Sequence, residues 1–86
     1  VKHRFEVVVD LKQGLADPQG KAIEDAAPTM GWEGVHDVRV GKHISFVVEA
    51  DGEAAARTLA EQMAERLLSN PVIEGYRILS AEEVGS

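Results

Sequence analysis

Three kinds of side chain in this sequence could carry chemistry: carboxylates, imidazoles and the polar residues of two turn motifs. Closely spaced acids occur at Glu24/Asp25, Glu61/Glu65 and Glu82/Glu83. Such a pair performs general acid–base work only in a pocket that shifts a pKa toward the working pH. These acids fall on polar helix faces or near the end of the sequence, where a solvated surface is the expected setting. His36 and His43 could approach each other across a turn, with His3 apart from both. Two imidazoles without a third donor make a weak zinc constellation, and surface or subunit-contact roles fit them better. The absence of cysteine removes thiolate metal sites, cysteine nucleophiles and disulfides together. The expectation is no catalytic residue and no metal site on this chain.

The turn motifs are more informative. In Asp17-Pro18-Gln19-Gly20, Asp17 reads as a helix N-cap and Pro18 as the first helical residue, where its missing N–H costs nothing. The free N–H groups of such a terminus could seat an anion, or the motif could simply be a capped start with Gly20 allowing close approach. Gln19 projects toward the apolar side of that helix, and a polar amide there needs a partner, which makes it a candidate contact. Asp37-Val38-Arg39-Val40-Gly41-Lys42 reads as a hairpin whose tip is basic. A salt-bridged turn is one reading of Asp37, Arg39 and Lys42, and surface pairs of that kind contribute only about 0–1 kcal/mol. A docking point on an acidic protein is the other. Trp32, the single tryptophan, either caps the core or anchors an interface.

The elements that must position these residues follow from hydrophobic period. Residues 4–11 alternate, with Phe5, Val7, Val9 and Leu11 on one face, as in a half-buried strand. A helix is expected over residues 18–30, loosened in its last turn by Pro28 and stopped at Gly31. Residues 35–40 and 43–49 read as a hairpin. An odd-numbered loop, or an equivalent bulge, would bring Val38, Val40, Ile44, Phe46 and Val48 to one face. A second helix spans about residues 53–68, with Ala56, Leu59, Ala60, Met63 and Leu67 as its apolar stripe, and Ser69-Asn70-Pro71 ends it. A last strand covers residues 75–80, and residues 81–86 read as a loose acidic tail after a single domain over residues 1–80.

Strand-helix-strand-strand-helix-strand is the α+β, ferredoxin-like βαββαβ plan: a four-stranded antiparallel sheet with two helices on one face. The other face would then be bare, carrying Val8 and Val47 among Glu6, Asp10, Arg39, Ser45 and Glu49. A self-complementary contact or edge-to-edge strand pairing between subunits would cover it. Size points the same way. A chain of 86 residues buries only roughly 60–65% of its unfolded surface, and oligomerisation is the remedy left when disulfides and metals are excluded. The net charge of −6 argues against a nucleic-acid surface. No apolar run reaches membrane-spanning length and no signal-peptide pattern is present, so a cytoplasmic protein without membrane contact is expected.

Three segments, in order and spacing, carry a resemblance. They are Asp17-Pro18-Gln19-Gly20, Asp37-Val38-Arg39-Val40-Gly41-Lys42, and Leu67-Leu68-Ser69-Asn70-Pro71-Val72-Ile73-Glu74-Gly75-Tyr76, with Leu11-Lys12 closing the first strand. The chain resembles the small-subunit (PurS) family of phosphoribosylformylglycinamidine synthase over essentially its whole length. Pro28, where the family usually keeps an ordinary helix residue, and Gly75, where an acid is common, are its departures.

The resemblance implies a subunit without an active site of its own. The family's complex turns formylglycinamide ribonucleotide, ATP and glutamine into formylglycinamidine ribonucleotide, ADP, phosphate and glutamate in purine biosynthesis, using ATP and Mg. A large synthetase subunit and a glutaminase subunit carry that chemistry. The small subunit would join them and help secure ammonia transfer, and members of the family are ferredoxin-like dimers that can pair into tetramers. Asp17, Gln19, Gly20, Asp37, Arg39, Gly41, Lys42, Asn70 and Tyr76 become candidate subunit contacts, and Val8 and Val47 a candidate self-contact face. Two other readings differ in class. A ferredoxin-like regulatory module could bind small molecules between paired subunits, by fold analogy alone. An RNA reader would expose aromatics on its strands, whereas Phe5 and Phe46 lie on the core face here.

Overall fold

The computed structural model describes residues 1–85; Ser86, the end of the expected tail, lies outside them. Strand β1 (Lys2–Leu11) is followed by helix α1 (Pro18–Ala26) and a 3-10 turn (Ala27–Met30). Strand β2 (Lys42–Glu49), helix α2 (Glu53–Met63) with a wider π-type turn (Ala64–Leu68), and strand β3 (Glu74–Val84) complete the order. The sheet is antiparallel with β1 in the centre, β2 on one side and β3 on the other.

The four-stranded sheet expected from sequence has three strands. Residues 32–41 contain no strand, so the hairpin and its odd-numbered loop do not form. The backbone shows why. Gly34 (φ 79°) and Asp37 (φ 56°) are left-handed, which breaks an extended path. The Val40 N–H, a potential ladder donor, goes instead to the Asp17 carboxylate at 2.8 Å.

β3, by contrast, is longer than expected. Residues 81–84, read as tail, pair with the start of β1, with Ala81 opposite Phe5 and Val84 opposite Lys2. A bulge between the Glu6 and Val7 registers leaves Leu79 as the extra residue.

Alternation along β1 drives the core. His3, Phe5, Val7 and Val9 are buried on the inner face, and the Phe5 and Phe46 rings stack with centroids 5.8 Å apart. Along α2 and into its π-type turn, Ala56, Ala60 and Ala64 recur every fourth residue and are fully buried. Small side chains at that spacing let the helix settle close on the pleat. Leu59 and Leu67, assigned to the same stripe by period, lie on its flanks and remain exposed. α2 crosses β1 and β2, and its π-type turn packs on β1 and β3.

α1 ends as its sequence indicates. Pro28 sits in the 3-10 turn, and Gly31 closes it at φ 88°. Yet α1 packs substantially only against that 3-10 turn, and α2 alone covers the inner face of the sheet. The expected pair of helices side by side is therefore absent within one protomer. The radius of gyration is 16.7 Å and the extents are 52 × 28 × 14 Å. A compact chain of this length would have a radius of about 12 Å.

Candidate functional site: the interlocked turns and the surfaces beside them

The two turn motifs bind each other. Asp17 is buried, and its Oδ1 accepts the Gly20 N–H at 2.9 Å while its Oδ2 accepts the Val40 N–H at 2.8 Å. One carboxylate thus caps α1 and pins the segment that leads into β2. The Gly20 and Val40 N–H bonds, in that order, hold its carboxyl below the ordinary 3.8 against the opposing effect of burial, and the Arg39 guanidinium adds a smaller lowering. Arg39 reaches the other way: Nη1 donates to the Leu15 carbonyl at 3.0 Å, and Nη2 approaches the Lys12 carbonyl at 3.5 Å.

Glycine is required at two points of this lock. A Cβ on Gly20 would run into the Val38 carbonyl, and one on Gly41 would stand 2.9 Å from the Val9 carbonyl oxygen. The anion seat that a helix N-terminus could offer is thus filled by the chain's own Asp17.

Other candidate residues take varied places. Gln19 is exposed beside Lys42 and Glu74 at the rim of a shallow cleft. Asn70 organises the turn into β3: its Oδ1 accepts the Val72 N–H at 3.1 Å, and its carbonyl accepts the Glu74 N–H at 2.7 Å. Tyr76 packs against the Val7, Val9 and Ala64 cluster. Trp32 is exposed (60%), as are Met30 (64%) and Ile23 (50%), so the apolar side of α1 and its 3-10 turn faces outward.

The outer face of the sheet is polar. Val8 lies opposite His43 and Arg77, while Val47 lies opposite Arg4. They are separated by four β1 positions, about 13 Å along the strand, and form no continuous apolar patch. Between them sit Glu6, Ser45 and Ser80, with Ser80 Oγ donating to Glu6 Oε2 at 2.9 Å and His43 Nε2 3.8 Å from Glu6.

Sequence reasoning missed two features. His3 is buried at the end of the inner face, and its Nδ1 has no hydrogen-bond partner among the described residues. Strand alternation placed residues 4–11 but not this preceding residue. Arg77 was also missed. With Asp10, Leu11, Lys12, Gln13, Gly14, Asp37, Arg39 and Gly75 it lines a cleft of about 720 Å³ at the end of β1. Only the pairing of β1 with β3 brings Arg77 there. Among the described residues no group of three or more His, Cys, Asp or Glu could hold a metal ion. Nor is any helix long and apolar enough to cross a membrane.

An α+β protomer with an internally used N-cap carboxylate and an uncovered apolar helix has the makeup of an interaction subunit. The phosphoribosylformylglycinamidine (FGAM) synthase PurS profile matches residues 4–82, and the chain belongs to the PurS family. It is similar to the phosphoribosylformylglycinamidine synthase subunit PurS of Bacillus subtilis, 39% identical over 82 residues that make up 95% of each chain. The Mycobacterium leprae PurS subunit is 43% identical over 75 residues, 87% of this chain and 91% of its own. Among solved structures, Thermus thermophilus PurS superposes with a TM-score of 0.84 at 34% identity, covering 99% of this chain and 100% of that one. A chain of the PurLQS structure from Thermotoga maritima gives 0.83 at 31% identity, covering 91% and 95%.

Proposed function

We propose that this protein is the small, non-catalytic subunit of an FGAM synthase complex, where it joins the large synthetase and glutaminase subunits. The observation that carries the reading is the similarity over nearly the whole chain to PurS subunits, including one within a PurLQS structure. The architecture supports it: the most elaborate polar constellation, Asp17 with Gly20 and Val40, is satisfied internally and has no free base or nucleophile to offer. ATP and magnesium belong, in this reading, to the larger subunits, and the site of action is the cytosol.

Self-association is the second part of the proposal. The apolar side of α1 and its 3-10 turn, with Ile23, Met30 and Trp32 outward, lacks a cover within the protomer. The flank of α2 bearing Leu59 and Leu67 is equally uncovered. A second copy covering these surfaces would supply the burial that a three-stranded sheet under one helix lacks. The expected self-contact thereby moves from Val8 and Val47, which are set in a polar face, to the helical side.

The test is reconstitution with purified subunits. With formylglycinamide ribonucleotide, ATP and glutamine, product should form only when this chain joins the large and glutaminase subunits. Full-rate product without it would sink the assembly role. Light scattering of the chain alone should give a mass above the 9.3 kDa protomer.

A further inference from the structure

We propose that the cationic trough at the C-terminal end of β1 seats a carboxylate-rich segment of one of the larger subunits, an inference that rests on the assembly reading above. Four of the nine lysines and arginines gather there: Lys12, Arg39 and Arg77 around the 720 Å³ cleft, and Lys42 in the adjoining hollow with Val8, Gly41 and His43. Asp10 and Asp37 are the only acids in the two linings, so the trough is locally positive on a chain of net charge −6.

The trough's cations form no direct ion pair among the described residues, although the Arg39 charge is felt by Asp17. Lys2, Lys21 and Arg57 pair with Glu49, Asp25 and Glu61. Among the described residues, Lys12, Arg39, Lys42 and Arg77 make no ion pair. Arg39 is held by the Leu15 carbonyl, which orients its guanidinium without neutralising it. Held donors lose less freedom when a carboxylate docks.

Shape and composition decide the kind of occupant. Small-molecule sites are enclosed and mostly apolar. This trough is lined mainly by polar side chains and runs from the loop after β1 to the start of β2, which suits an extended segment. Nucleic acid is disfavoured by the net charge and by linings without Phe, Tyr or Trp. An acidic partner surface would be steered to this positive region of a chain that is acidic in net charge.

The experiment measures binding of the full chain to the purified large and glutaminase subunits at low and high salt. Lys12→Glu with Arg77→Glu should weaken binding by about tenfold or more, and Arg77→Gln by a smaller factor. Arg57→Glu on α2 with Arg66→Glu on its π-type turn should change it less than about twofold. Wild-type binding should weaken as salt rises and the charges are screened. Unchanged thermal midpoints, or the milder Arg77→Gln if the double variant unfolds, separate docking from folding. Trough variants that bind like wild type, or α2 variants that weaken binding equally, would overturn the proposal. So would displacement by inorganic phosphate at constant ionic strength, which would mark a small-anion site. If the wild-type chain bound neither subunit, the assembly reading would fall and the trough proposal with it.

Discussion

The sheet with α2 and the arm that carries α1 are held by different forces. In the first, Phe5, Val7 and Val9 are buried against Phe46, Ile44 and an alanine stripe, so removal of apolar surface from water supplies the stability. In the second, only Gly20 and Ala27 of α1 and its 3-10 turn are buried, and a carboxylate fixes the arm through two backbone N–H groups. A hydrophobic core draws its stability from the area it removes from water. A polar lock instead fixes geometry while leaving the apolar side of the arm available to another chain.

The largest way to break this contrast is Phe5→Ala, which should cost about 3–5 kcal/mol in urea unfolding. For a domain this small that is much of its total stability. Next is Gly20→Ala. Alanine favours a helix over glycine by about 1 kcal/mol, but its Cβ would strike the Val38 carbonyl, a backbone atom that cannot rotate away. Overpacking of up to about 3 kcal/mol should win. Hydrogen exchange at Val40 should rise sharply, while the central β1 amides stay protected.

Trp32→Ser should leave the unfolding free energy of an isolated protomer nearly unchanged. It should weaken self-association by about 2 kcal/mol, roughly 30-fold, measured by sedimentation. Equal loss in both quantities would mean the arm packs internally after all.

The most confined effect is on pH dependence. Asp17 has a lowered carboxyl pKa in the folded state, so its stabilisation is complete above the ordinary 3.8 and is lost as pH falls through the lower folded value. Protonation should release the arm before the core unfolds. Asp17→Asn should flatten the thermal midpoint against pH in that acid range, and a profile matching wild type would remove the lock from the account.

Much of this was legible in the residues. Alternation in β1, the Asp17-Pro18 helix start and the Gly31 stop are local signals, and local geometry obeys them. Residues 35–40 misled because alternating valines look the same whether their N–H groups meet a strand or a carboxylate. Val38 and Val40 are half-buried against the α1 start instead of in a sheet. The acidic residues Glu82 and Glu83 resembled a tail because charge masks a strand whose support comes from β1.

By itself the sequence determined the family, the central strand and the extent of both helices with the turns that continue them, since each rests on residue type and near-neighbour spacing. Tertiary structure decided the number of strands, the pairing of the two turn motifs, the convergence of Lys12, Arg39, Lys42 and Arg77, and the outward face of α1. Those depend on which distant group satisfies each backbone N–H and which surface finds a cover. Neither is encoded in local period, because a buried donor can be satisfied by either a side-chain or a main-chain acceptor.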